Sequence, residues 1–312
     1  MYTHKYMLVI YCLTPIHMGA GQSVSYIDNI VQRERITGLP TLWSSGLKGV
    51  FRAFLSEKEN HRKHVDKIFG PQDGQEYASL ISITDAKLLL FPVRSLKGIF
   101  AYTTSPMIII RLLRELEYLG VKTINKQNDN SKIDLARLSE LLIKQKINEE
   151  SVITTEKSEI VIDLNNSKKV GLEEFVFELY RQQNDKLNIS DLVELIKEYL
   201  PPNQLISSDN FLMSRFVILK DDVLRDLTNY AVEVRTRIRI DQSTGTVQEG
   251  ALFTEEFIPS ETVFYSFIFF KNDSNNGLYE QIIQELNNSF FQFGADETLG
   301  KGIAKIRITK IQ

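Results

Sequence analysis

The apolar positions of this chain change period several times, and each change marks an element. Residues 6–13 form a continuous β-rich apolar run, read as a buried strand, which stops at Thr14-Pro15. A loop with spaced glycines follows, and the polar stretch up to Ile36 has no clear period. Leu47, Val50, Phe51, Phe54 and Leu55 then recur at i, i+3, i+4, i+7 and i+8, which places them on one face of a helix. Ser44 and Ser45 are candidate caps for it, because a hydroxyl accepts a bond from an otherwise unpaired first-turn N–H. The pattern further predicts a short helix over 61–68, a strand over 80–91, and a helix from Ser105-Pro106 through Tyr118, stopped by Gly120.

Asn-rich residues 125–130 break the chain, and 132–200 read as an insertion. It holds helical patches over 135–146, 172–182 and 192–200 and a strand over 152–164, and Pro201-Pro202 closes it. From Glu233 to Asp241 the residues alternate strictly: Glu233, Arg235, Arg237, Arg239 and Asp241 share one face, Val234, Thr236, Ile238 and Ile240 the other. Thr244-Gly245 turns the chain and 247–258 returns, giving a long hairpin. An apolar strand over 262–270, a helix over 278–290, a Gly-punctuated loop and a strand over 303–311 complete the chain. The order strand–helix–strand, insertion, strand–helix–strand is that of an α+β, ferredoxin-like fold. RNA-recognition motifs share this layout and bind single strands on the open sheet face. Three segments follow: 1–120 as the first part of this RRM-like core, 121–204 as a mainly helical insertion, and 205–312 as the hairpin and second part of the core.

Composition narrows the class. With 43% hydrophobic and 25% charged residues among 312, the chain can build a core, which excludes a disordered protein. Cys12 is the only cysteine, which excludes an intramolecular disulfide scaffold and a Cys-rich zinc site. No segment reaches the roughly 18 apolar residues of a membrane span, and the N-terminal run lacks a signal-peptide cleavage site. The cytoplasm is therefore the expected compartment. The net charge of −3 is uneven: residues 1–120 carry 14 Lys and Arg against 10 Asp and Glu, the remainder 23 against 30. An anionic partner sits most easily on the first part.

Candidate chemistry is sparse. His61 and His64 are spaced to share a helix face, but Arg62 and Lys63 beside them favour a solvated basic helix end. His17, in the first glycine-spaced loop, is either a hydrogen-bonded structural residue or a contact to a base or phosphate. Asp28-Asn29 is by spacing a turn pair. Its functional alternative is a carboxylate offered to RNA, to hold a divalent metal, accept a ribose 2′-hydroxyl proton or fix in-line geometry. Lys48 and Arg52 lie one turn apart beside the helix start at Ser44-Ser45, as a phosphate site or as a solvated face. Gly300-Lys301-Gly302 precedes a strand, so it is neither a Walker loop nor a dinucleotide fingerprint. It allows close backbone approach to a ligand, or simply a tight turn. The hairpin arginines can grip a polyanion or pair across the hairpin with Glu249, Glu255 and Glu256.

Together these pieces resemble the RAMP superfamily of CRISPR proteins, most closely the repeated backbone subunit of the type III-B (Cmr) effector complex. Pro15-Ile16-His17-Met18-Gly19-Ala20-Gly21 resembles the N-terminal His/Gly loop of that family, and Asp28-Asn29-Ile30-Val31-Gln32-Arg33-Glu34 its catalytic loop. Ser44-Ser45-Gly46-Leu47-Lys48-Gly49-Val50-Phe51-Arg52 resembles the first-helix motif. Phe91-Pro92-Val93-Arg94-Ser95-Leu96-Lys97-Gly98-Ile99-Phe100-Ala101-Tyr102 is the most subtype-specific stretch. Arg235 to Asp241, Thr244-Gly245-Thr246-Val247 and Gly250-Ala251-Leu252-Phe253 resemble the thumb hairpin, and Glu297-Thr298-Leu299-Gly300-Lys301-Gly302 the C-terminal Gly-rich loop. The chain departs from the family pattern at Ile30, Trp43 and Ala295.

The resemblance implies a palm with a protruding thumb. Copies of the chain would stack in a helical filament along a guide RNA (crRNA), with other Cmr-type subunits and the target RNA as partners. Asp28 would be the catalytic residue and a candidate ligand of a divalent metal, Mg or Mn. His17, Ser44, Ser45, Lys48, Arg52, Arg94, Ser95, Arg235, Arg237, Arg239, Gly300, Lys301 and Gly302 would contact RNA. Three other readings stay open: the type III-A counterpart, a purely architectural RNA-binding subunit, and a guide-processing nuclease using His17 as base.

Overall fold

The computed structural model describes residues 2–311 except 23–26, 72–76, 127–130, 165–166, 181–186, 209, 242, 249–251 and 272–275. Glu249, Gly250 and Ala251 of the expected hairpin therefore lie outside the described residues.

Six elements carry the core: β1 (Tyr2–Cys12), α1 (Ser44–Glu57), β2 (Ala86–Arg94), β3 (Val263–Lys271), α2 (Asn276–Leu286) and β4 (Ile303–Ile311). Their strands lie in the order β4–β1–β3–β2, each antiparallel to its neighbour. The longest helix of each crossover is α1 in β1–α1–β2 and α2 in β3–α2–β4. The last seven residues of β1 are buried without interruption, as a strand covered on both faces requires. On the helical side, α1 buries Leu47, Phe51 and Leu55, and the Phe51 ring meets those of Phe291 and Phe293 edge-on at 5.1 and 6.1 Å. Tyr6 meets Phe270 edge-on on the same side, and Phe270 stacks on Tyr279 of α2 at 4.5 Å.

The second face of the sheet is not open. Met7, Val9 and Tyr11 point to it by alternation, and each is only 1% exposed. Arg307, paired with Val9, donates to the Leu200 carbonyl at 2.9 Å, which docks the end of the Ile189–Tyr199 helix on this face. The RNA-recognition layout with a bare sheet face is thus corrected, because the inserted segment supplies a second apolar layer there. What remains accessible is the rim of the sheet, where the loops lie.

Beyond β2 the sheet continues through Phe100–Thr104, Phe216–Ile218, Ser151–Thr154, Phe175–Leu179, Ser167–Leu172 and Ile162–Leu164. Segment 121–204 thus mixes the last four of these strands with the helices Leu135–Lys144 and Ile189–Tyr199, where a mainly helical insertion is expected. The helix expected over 172–182 is a strand, Phe175–Leu179, turned back on Ser167–Leu172 through Glu173 at φ 49°. The 61–68 helix is split into Glu59–Arg62 and Val65–Phe69, and the 80–91 strand into Ile81–Ile83 and β2. Phe290 ends no helix but opens a strand, Phe290–Gln292, paired with β4.

The hairpin strands belong to a second, four-stranded sheet. Glu233–Arg237 pairs with Phe253–Phe257 in antiparallel register, Arg235 opposite Glu255 and Arg237 opposite Phe253. The return strand is regular only over these five residues, and an Ile240–Val247 bridge closes the tip. Asp241 caps the turn, its carboxylate accepting from the Ser243 amide at 2.8 Å. Val234, Ile238, Ile240, Val247 and Leu252 are left exposed along it. Among the described residues, no helix is long and apolar enough to cross a membrane.

Candidate functional site

At the end of β1 the chain enters the first glycine-spaced loop, and it meets the last glycine-rich loop side by side. The Ala295 amide donates to the His17 carbonyl and the Gly302 amide to the Pro15 carbonyl, both at 2.9 Å. This approach needs glycine at two positions. A Cβ on Gly294 would lie 2.1 Å from the His17 carbonyl oxygen, and one on Gly302 2.1 Å from that of Phe293. Both residues also hold positive φ, 86° and 76°.

Into this junction comes the base of the hairpin. The Ile16 amide donates to the Ile258 carbonyl at 2.9 Å, and the reverse bond measures 2.8 Å. His17 is buried; its Nδ1 donates to the Glu256 carbonyl at 2.6 Å, while Nε2 lies 3.5 Å from Glu255 Oε1. The Phe257 ring meets the imidazole edge-on at 5.7 Å. Arg237 Nη1 ties the hairpin to the last glycine-rich loop, donating to Glu255 Oε2 at 2.8 Å and Asp296 Oδ1 at 2.5 Å. Hydrogen bonds to Glu255 and then Asp296 push the Arg237 pKa further up. Lys301 and Arg235 lie over the Phe257 ring at 5.4 and 5.5 Å. Arg235 also pairs with Glu233 at 2.6 Å, and Arg239 is exposed beyond the regular strand. The cross-strand ion pairing considered for the hairpin arginines is thus realised at Arg237.

The Asp28 loop lies along the return strand. Asn29 pairs in parallel with Glu255, and the Val31 amide donates to the buried Glu256 carboxylate at 3.0 Å. Asp28 is exposed, and its Oδ2 accepts from the Thr254 amide at 2.8 Å and from the Thr254 hydroxyl at 3.0 Å. The amide bond first, then the hydroxyl bond, hold the Asp28 carboxyl below its ordinary pKa. No cluster of three or more His, Cys, Asp or Glu placed to hold a metal occurs among the described residues. The donor set fits a magnesium-type ion held by one carboxylate oxygen, water and substrate oxygens, and it does not fit an all-protein cage.

The start of α1 differs from expectation. Trp43, not a serine, stands at the cap position, and neither Ser44 nor Ser45 caps through its hydroxyl. Asp85 Oδ1 instead accepts from the Ser44 amide at 2.7 Å, and Gln32 Oε1 from the Trp43 amide at 2.7 Å. A carboxylate from the connection that leads into β2 serves better than a short hydroxyl, because it also complements the helix dipole. The helix start still borders the site: a Cβ on Gly46 would lie 2.4 Å from Met18 Cε, next to His17.

Lys48 Nζ donates to Ser79 Oγ at 3.0 Å, and burial followed by the nearby Arg52 lowers its pKa. Arg52 donates to the Gly70 carbonyl at 2.5 Å and pairs with Asp66, so it fastens the 66–70 segment as well as offering charge. Arg94 and Ser95 are not gathered with the His17 cluster. Arg94 pairs with Glu173 and Glu174 at 3.1 and 3.3 Å, and buried Ser95 donates to the Gly171 carbonyl at 3.1 Å. His61 is buried beside Glu285 at 3.9 Å rather than solvated, so the basic-helix-end reading is corrected for it. Sequence reasoning missed Thr254 and Asp296, which carry no signal of their own. Gln32 was quoted only as part of a motif, yet its buried amide links the Asp28 loop, Gly19 and Trp43.

A mixed α+β core with two interlocked glycine loops, and a hairpin with an exposed carboxylate against its return strand, defines a class. The family model of the RAMP superfamily matches residues 9–305, and the chain belongs to that superfamily. The CRISPR system Cmr endoribonuclease Cmr4 of Pyrococcus furiosus is 38% identical over 98% of this chain and 96% of its own length. The CMR subunit Cmr4 of Saccharolobus solfataricus is 29% identical over 98% and 97%. Among solved structures, oligomeric Cmr4 from Pyrococcus furiosus superimposes with a TM-score of 0.72 at 33% identity, covering 99% of both chains. A chain of the type III-B Cmr-beta complex bound to cognate target RNA gives 0.74 at 25%, covering 98% of both. Within the superfamily this chain is a backbone subunit of the Cmr4 kind, of the type III-B complex, which sets aside the type III-A alternative.

Proposed function

We propose that this chain binds guide RNA as the repeated backbone subunit of a type III-B effector and cuts target RNA at regular intervals, with Asp28 as the catalytic residue. The core then acts as a ferredoxin-like palm and the 233–257 hairpin as a thumb. The observation that carries the reading is the exposed, ionised Asp28 carboxylate, held by Thr254 at the root of the hairpin. A hairpin with an exposed apolar side can displace a base pair of a guide–target duplex, which frees one ribose from A-form geometry. The 2′-oxygen then attacks the adjacent phosphorus, the 5′-oxygen leaves, and a 2′,3′-cyclic phosphate and a 5′-hydroxyl result. Asp28 would then accept the 2′-hydroxyl proton or orient that hydroxyl.

A divalent metal, Mg or Mn, would be held by Asp28 with RNA oxygens and water, and would neutralise charge at the phosphate. His17 cannot serve as a base here, since its ring is buried and both nitrogens face Glu255 and Glu256. Its role is to seat the hairpin root. Lys48, Arg52, Arg235, Arg239 and Lys301 supply backbone contacts, with sequence read by guide–target pairing. Stacked copies and other Cmr-type subunits sum these modest patches into tight binding. Work on RNA inside the cell and a single buried thiol suit the cytoplasm.

The test is Asp28→Ala in complexes reconstituted with guide and target RNA. Cutting is lost while guide binding survives, and a chelator abolishes cutting by the unsubstituted complex. Normal cutting by the variant would leave a scaffold only.

A further inference from the structure

We infer that Thr254 is the positioning residue of this site, tying the Asp28 carboxylate to the return strand of the hairpin and so fixing where the target is cut relative to it. The inference rests on the assignment of Asp28 above.

Three consecutive hairpin residues, Thr254, Glu255 and Glu256, hold Asp28, Asn29 and Val31 in turn. Glu255 and Glu256 act on the backbone of the loop, whereas Thr254 acts on the functional group itself. Its hydroxyl accepts from the Asp28 amide at 3.1 Å and donates to Asp28 Oδ2 at 3.0 Å, and its own amide donates to the same oxygen at 2.8 Å. Only a hydroxyl can accept and donate in this way at one site. Thr254 is the main partner of the Asp28 carboxylate, whose own amide adds a smaller contact. Two bonds to Oδ2 restrain the carboxylate's rotation and hold its orientation toward the hairpin.

Thr254 also stands opposite Thr236 in the hairpin register, so any displacement of the hairpin carries the carboxylate with it. A catalytic group mounted on the element that distorts the strand keeps a constant offset from the distortion. A carboxylate free to rotate would lose that offset, and misplacements of about an ångström cost on the order of 100-fold in rate.

The experiment compares Thr254→Val, Thr254→Ser and Asp28→Ala in complexes reconstituted with guide RNA and an end-labelled target. Thr254→Val keeps the backbone bond and the side-chain shape but removes the hydroxyl. Its single-turnover cutting falls roughly 10- to 100-fold, guide and target affinity are unchanged, and cuts spread onto neighbouring phosphodiester bonds. Thr254→Ser restores both the rate and the single cut position. Cutting by Thr254→Val at the original rate and positions, with Asp28→Ala inactive, overturns the inference and spares the assignment of Asp28. Normal cutting by Asp28→Ala refutes that assignment itself. Loss of guide binding by Thr254→Val, or a defect that serine does not repair, assigns Thr254 a merely structural part and overturns the inference too.

Discussion

Gly294→Ala probes the seam between the two glycine loops. The new Cβ would lie 2.1 Å from the His17 carbonyl oxygen, 2.8 Å from its carbon and 3.1 Å from Met18 Cγ. Two of these neighbours are backbone and cannot swing aside. The seam has to open by more than an ångström, which breaks the 2.9 Å bond from the Ala295 amide to the His17 carbonyl. Left-handed backbone costs an alanine ~1–2 kcal/mol, and the broken hydrogen bond adds ~1 kcal/mol or more. The total is about 3 kcal/mol. Gly300→Ala is the internal control, because Gly300 has φ 69° but nothing within 4 Å of an added Cβ. It pays only the backbone strain of ~1–2 kcal/mol. Urea unfolding followed by circular dichroism measures both variants, and the fluorescence of Trp43, the only tryptophan, reports on the nearby helix start. Gly294→Ala is expected to show the larger loss and to impair cutting, since His17 and the hairpin root move with the seam. Equal midpoints for the two alanines would refute the steric argument.

Two further outcomes follow from particular side chains. Lys48→Ala weakens RNA binding and reduces the salt slope of affinity by about 1, with little change in stability. Arg52→Ala weakens binding and also loosens the 66–70 segment; filter binding across salt concentrations and protease sensitivity separate the two, and unchanged affinity for both leaves a solvated helix face. Burial and then Glu261 push the Cys12 thiol up from its ordinary pKa, so in the folded chain it stays protonated. Above about pH 8.5 only the unfolded chain loses that proton, so this residue's contribution to stability declines as pH rises past that value. Thiol reagent at pH 8 therefore labels Cys12 only at the rate of unfolding, and fast labelling without urea contradicts its burial.

The strands and helices of the core were legible because their periods are unambiguous: the unbroken apolar run of β1 and the i, i+4, i+8 stripe of α1 admit one interpretation each. The 172–182 stretch admits two. Leu172, Phe175, Val176 and Leu179 satisfy a helical spacing, while Phe175, Phe177 and Leu179 also alternate, and pairing with Ser167–Leu172 on one side and Ser151–Thr154 on the other decides for the strand. The covered sheet face was illegible for a related reason, since nothing local in the Ile189–Tyr199 helix says which surface it docks on. At the site, Asp28 and His17 stood out through the motifs that contain them. Thr254, an ordinary strand threonine, gains its meaning only from a loop more than two hundred residues away in sequence, and no local pattern encodes that meeting. The serine cap failed because Asp85, from a distant connection, reached the helix start first.

The interlocking of Pro15 with Gly302 and of His17 with Ala295 has a consequence for synthesis. The two halves of this seam lie more than 270 residues apart along the chain. Contacts so far apart along the backbone form late and slowly. A nascent chain that has emerged only as far as the hairpin therefore holds its carboxylate and its arginines on an unclosed frame. Only when β4 pairs with β1 does the loop that carries Asp296 and Lys301 close against His17 and the hairpin root.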